Sequence, residues 1–137
     1  MIIRERETES PPAKKVVVVD DDDDYRRLVQ LMLADGTGAM VELITAENGQ
    51  SGLAAIRAHH PDVVILDLVL PDMHGWEVFM VMRGEAESAG IPVIILSSYG
   101  TRHDRSFGLQ VARVHDYLTK PCLPSRLRES VATAFRN

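Results

Sequence analysis

Five short apolar runs punctuate this chain, and longer stretches with helical spacing separate them. Val16 to Val19, Val41 to Thr45, Val63 to Leu66, Val93 to Leu96 and Val114 to Leu118 read as strands, the first of them a continuous β-branched run of the buried kind. Between them, apolar positions return every three or four residues, as on a helix with one buried face. The spacing predicts a helix from about Tyr25 to Ala34 with Leu28, Leu31 and Met32 turned inward, stopped by Asp35-Gly36-Thr37-Gly38. Asn48 caps a second helix carrying Leu53 and Ile56, and Pro61 closes that connection. Gly75 precedes a third with Val78, Val81 and Met82 on one side. Thr101 with Asp104 forms a capping pair for a fourth helix, which Gly108 should weaken. Lys120-Pro121 breaks the last strand, and a final helix carries Leu127, Val131 and Phe135.

Strand and helix thus alternate five times over short connections, the pattern of a parallel sheet with helices on both faces, an α/β fold. Residues 1–13 form a mixed-charge lead-in with Pro11-Pro12 and without the apolar centre of a signal peptide, so residues 14–137 are the expected single domain. Ligands in such folds sit outside the carboxyl ends of the strands. Three runs end there in polar residues: Val19 in Asp20-Asp21, Leu66 in Asp67, and Leu96 in Ser97-Ser98. Acid, acid and hydroxyl are therefore expected to converge on one pocket.

Charge and composition narrow the chemistry. The formal net charge is -5, and Asp20 to Asp24 account for all of it, so the acidity is local. That favours a cation site and gives no field attractive to nucleic acid. A lone cysteine, Cys122, excludes an internal disulfide and suits a reducing cytoplasm. No apolar stretch approaches the roughly 18–20 residues of a membrane span. The spacings of His59, His60, His74, His103 and His115 match no zinc site, which leaves them as surface or turn residues. Trp76 reads as partly exposed packing.

Taken in order, these motifs resemble the receiver domain of two-component response regulators. Val18-Val19-Asp20-Asp21 follows the first strand, Asp67 the third, then Pro71 and Gly75, then Ser97 after the fourth and Tyr117-Leu118-Thr119-Lys120-Pro121 at the fifth. The resemblance covers roughly Lys14 to Phe135 and is to the stand-alone, single-domain type. It implies a flavodoxin-like, doubly wound (βα)5 fold with strand order 2-1-3-4-5. It implies Asp67 as phosphoacceptor, taking a phosphoryl group from the phosphohistidine of a sensor histidine kinase or histidine phosphotransfer protein. Asp20, Asp21, Asp67 and the backbone carbonyl of Val69 would hold Mg2+ or Mn2+, a hard-oxygen set that suits either ion. Lys120 and Ser97 would contact phosphoryl oxygens, and a cis peptide would join Lys120 to Pro121. Ser97 would move toward the phosphoryl group and Tyr117 turn inward, changing the face of the fourth helix, fifth strand and fifth helix that binds a downstream protein or a second copy. The domain would be cytoplasmic, touch neither nucleic acid nor membrane, and act as a signalling module rather than an enzyme.

Several positions depart from the family pattern. Ser97 replaces the commoner Thr, Arg113 stands where Gly usually precedes the fifth strand, and Cys122 stands where an aromatic is common. By the same resemblance Val69 and Tyr99 would flank the line of a hydrolytic water, and an apolar residue with a bulky ring there predicts a long-lived phosphoryl group. Two rival readings remain. A haloacid-dehalogenase-like phosphatase would use Asp20 as nucleophile and Asp22 as acid/base, but the acidic pair expected after its Lys is missing from this sequence. A pseudo-receiver would act by shape alone. A run of acids is also often only a solvated helix start. By that reading Asp22, Asp23 and Asp24 are N-cap and first-turn residues.

Overall fold

The protein is described by a computed structural model over residues 12–98 and 100–137. Most of the expected lead-in and Tyr99 therefore lie outside the described residues. Five strands, β1 (Lys14–Val19), β2 (Val41–Ala46), β3 (Val63–Leu66), β4 (Val93–Ser97) and β5 (Asp116–Thr119), form one sheet in the order β2-β1-β3-β4-β5. Every pairing is parallel. The helices are α1 (Asp23–Met32), α2 (Gly49–His59), α3 (Gly75–Gly84), α4 (Arg102–Ser106) and α5 (Pro124–Phe135), and a π-helical turn, Phe107–Val111, continues α4. Among the described residues no helix is long and apolar enough to cross a membrane.

The two-residue period of the strands divides the core. Val17, Val19, Val64, Leu66, Val93 and Ile95 face Leu53 and Ile56 of α2 and Val78, Phe79 and Met82 of α3. Val16, Val18, Val63, Ile65, Ile94 and Leu96 face Val29 and Met32 of α1 and Leu127 and Val131 of α5. Burial on both faces is why the central strands read as unbroken apolar runs. Each such side chain contributes about 1.5–3 kcal/mol relative to exposure.

Two expectations need correcting. In α1 the buried residues are Val29 and Met32, while Leu28 is 40 % and Leu31 68 % exposed. Both sets have helical spacing, so only the docking of α1 on the sheet selects between them. β5 begins at Asp116 rather than Val114, and the Val114 N–H instead bonds back to the Gly108 carbonyl at 2.9 Å. Arg113 keeps the glycine-like turn and adopts φ 60°, a conformation unfavourable by about 1–2 kcal/mol for a residue with a Cβ. Gly108 lies in the π-helical turn where α4 loses its regular form, and a Cβ there would stand 3.0 Å from the Tyr117 ring and 3.3 Å from Trp76.

Candidate phosphoacceptor site

The backbone ladder runs into the site. Val19 is registered with Leu66, Leu66 with Ile95, and Ser97 with Thr119. The next amide of each polar strand end is also bonded: Asp20 to the Ala46 carbonyl, Asp67 to Val19 and Lys120 to Ser97, each at 3.0 Å. Asp20, Asp67, Ser97 and Lys120 are thereby set side by side on the carboxyl edge of the sheet. The Lys120–Pro121 peptide is cis, as expected.

The side chains then meet. Lys120 Nζ donates to Asp20 Oδ2 at 2.6 Å and to Asp67 Oδ2 at 3.1 Å. Asp67 Oδ1 accepts the Ser97 hydroxyl at 2.6 Å and the Val69 N–H at 3.1 Å. Asp20 Oδ1 accepts the Asp22 N–H at 2.9 Å. Asp20, Asp67 and Ser97 are buried, while Asp21 stands exposed at the rim. One oxygen from each of Asp20, Asp21 and Asp67 lies within 4.8 Å of the others. A cluster of hard anionic oxygens at this spacing fits a small divalent cation.

Burial is the main influence on Asp20 and raises its pKa, with the charge of Asp67 adding and Lys120 and the Asp22 amide opposing. For Lys120, burial is also the largest single influence and acts downward. The hydrogen bonds and charges of the two carboxylates outweigh it and hold the ammonium above its ordinary value. The two carboxylates thus more than offset the effect of burial on the ammonium.

Tyr117 is turned inward and only 1 % exposed. Its ring sits between Gly100 and Gly108, and a Cβ on Gly100 would collide with its hydroxyl. Arg105 of α4 donates to the Tyr117 carbonyl. The Val69 side chain lies at the rim, 53 % exposed. Asp22 caps α1 by accepting the Asp24 and Tyr25 amides, as the helix-start reading requires. Among the histidines, His115 is not simply a surface residue, since its Nε2 lies 2.8 Å from Thr133 Oγ1 and joins the start of β5 to α5.

Sequence reasoning passed over Asp72. Its carboxylate reaches back to the start of α2 and accepts the Gly49 N–H at 2.7 Å and the Gln50 N–H at 2.9 Å. It thereby straps the loop after Asp67 to a neighbouring helix. The Pro71-Asp72 pair resembles any turn, so no local signal marks this long-range cap. The Gly49 amide is foremost among the influences that depress the Asp72 pKa. A depressed carboxylate stabilises the fold above its unfolded pKa and loses that contribution as pH falls through its folded pKa. Asp72→Ala should therefore lower the urea midpoint at neutral pH, and the gap from the parent should close in strongly acidic buffer. A gap independent of pH would refute the strap.

Several known proteins resemble this chain in sequence or fold. Protein PilH of Pseudomonas aeruginosa is 38% identical over 80 residues, covering 58% of this chain and 65% of PilH. A Mycobacterium tuberculosis protein named "Probable transcriptional regulatory protein TcrX" is 44% identical over 79 residues, covering 58% of this chain and 32% of that protein. The chain so spans about a third to two thirds of the length of the curated relatives it matches. Among solved structures, Vibrio cholerae chemotaxis protein CheY4 has a TM-score of 0.72 at 30% identity, covering 85% of this chain and 93% of that one. The receiver domain of Francisella response regulator 1452 has a TM-score of 0.78 at 27% identity, covering 90% and 97%. The family model of the response regulator receiver domain matches residues 16–132, from inside β1 to well into α5, and the chain belongs to that family of two-component signalling domains.

Proposed function

We propose that Asp67 accepts a phosphoryl group from a phosphohistidine and that the resulting acyl phosphate is the signal. The observation that carries this reading is the convergence of Asp20, Asp21, Ser97 and Lys120 on the Asp67 carboxylate. A Mg2+ or Mn2+ bound by Asp20, Asp21, Asp67 and the Val69 carbonyl would supply positive charge at the phosphoryl oxygens. An Asp67 oxygen attacks phosphorus, the N–P bond of the donor breaks, and the electron pair leaves on the imidazole nitrogen. Ser97 and Lys120, now bonded to Asp67, shift to the new phosphoryl oxygens, which add close to two negative charges and three acceptors. Catalysis is positioning and electrostatics, with no turnover beyond slow self-dephosphorylation.

The inward seat of Tyr117 is the arrangement that phosphorylation would favour, a population shift read on the face of α4, β5 and α5. A downstream protein or a second copy would dock there. We place residues 14–137 as the receiver unit, working in the cytoplasm without membrane or nucleic-acid contact. The phosphatase reading loses support because the Asp22 carboxylate is committed to capping α1.

Intact-mass spectrometry after incubation with acetyl phosphate and Mg2+ tests the reading. One phosphoryl addition, mapped to Asp67, is expected; no addition, or one elsewhere, overturns it. The lifetime of that adduct tests Val69 separately. An apolar side chain at the rim offers a hydrolytic water no hydrogen bond, and Tyr99 is proposed to crowd the same approach. Val69→Asn should shorten the half-life, and an equal or longer one would remove Val69 from this role.

A further inference from the structure

Lys120 has a third neighbour besides its two carboxylates. The ring of Tyr25, in the first turn of α1, lies 4.3 Å from Nζ, measured to the ring centroid. The contact is enclosed, since the Lys120 side chain is only 12 % exposed. The backbone that carries the ring is tied to the site. The Tyr25 N–H bonds the capping carboxylate of Asp22 at 3.2 Å, and the Asp22 N–H bonds Asp20. At the other end the hydroxyl is buried without a hydrogen-bond partner, near Cys122, two residues past Lys120. The small Cys122 side chain leaves room for the ring, and both pack on the same face of the core.

An ammonium has three N–H bonds, and Asp20 and Asp67 take two acceptor directions. A π face on the remaining side attracts the cation without neutralising it. A third carboxylate would hold Lys120 more firmly but would repel an incoming phosphoryl group. The ring also displaces water, which strengthens the lysine's field inside the pocket.

We propose that Tyr25 is a positioning residue for Lys120, holding the ammonium in place within the phosphoacceptor site. This rests on the phosphoacceptor reading above. Tyr25→Phe keeps the π face, whereas Tyr25→Leu keeps apolar bulk and removes it. With acetyl phosphate and Mg2+, the phosphorylation rate constant of the full chain should fall about three- to tenfold in Tyr25→Leu and stay within about twofold in Tyr25→Phe. In parallel, the Lys120 ε-methylene proton resonances, shifted upfield by the ring current, should move downfield only in Tyr25→Leu. Tyr25→Met gives a second apolar variant should leucine disturb folding, as read by circular dichroism. Equal rates in the parent and the apolar variants, or equal loss in Tyr25→Phe, overturn the proposal and leave the phosphoacceptor reading intact. Failure of the parent chain itself to gain mass overturns both.

Discussion

Asp67→Asn should abolish the Mg2+-dependent mass gain from acetyl phosphate while leaving the fold intact. Asparagine preserves shape but lacks an anionic oxygen able to attack phosphorus. It also removes one of the three acidic oxygens gathered at the candidate metal site. The carbonyl of the amide can still accept the Ser97 hydroxyl, which now lies 2.6 Å from Asp67 Oδ1. Lys120 retains Asp20 as partner at 2.6 Å, so its charge is not left unpaired. Asp67 also adds a repulsive charge to the buried Asp20, and the amide removes it. The variant should therefore unfold in urea no earlier than the parent. Retention of the mass gain at the parent rate would end the assignment of Asp67 as acceptor.

Gly75→Ala should destabilise the protein by about 3 kcal/mol, a fall in Tm of roughly 10 °C for a domain of this size. A Cβ at Gly75 would collide with the Asp67 carbonyl oxygen and stand 2.6 Å from Leu68 Cα. These are backbone atoms, and they cannot rotate aside. The approach is close because the Gly75 N–H bonds the Leu68 carbonyl at 2.8 Å, pulling the start of α3 onto the loop that follows Asp67. Any relaxation must shift that loop, so the variant should also need more Mg2+ for half-maximal phosphorylation. Gly84→Ala at the other end of α3 is the control, since nothing lies within 4 Å of a Cβ there and alanine favours helix. Equal melting temperatures for Gly75→Ala and the parent would show that the loop yields more readily than its contacts require.

The two predictions divide by how visible their cause was before folding. Asp67 stood out because a run of four apolar residues stopped at a carboxylate, and a strand must deliver its next residue to the sheet edge. The place of Lys120 at the site followed from the ordered motifs, whereas its pairing with Asp20, separated by 100 positions, appears only in the folded chain. Gly75 was noticed as part of a motif, but its steric role appears only when Asp67 and Leu68 are folded against it. Neither Tyr25 nor Asp72 carries a local signal of its role, because one resembles ordinary helix packing and the other an ordinary turn. The side chains of Leu28 and Leu31 show the converse error: a correct period with the wrong face.

Local periodicity alone determined the five strands, the alternating helices and the three polar strand ends, because each depends on residues a few positions apart. The order of those motifs carried the family. Tertiary docking decided which side of α1 is buried, where β5 starts, how Tyr117 is seated between two glycines, and that Asp72 and Tyr25 brace the site. Those outcomes depend on distances between segments remote in the chain, and a hydrophobic pattern is equally satisfied by more than one such docking until the core is packed.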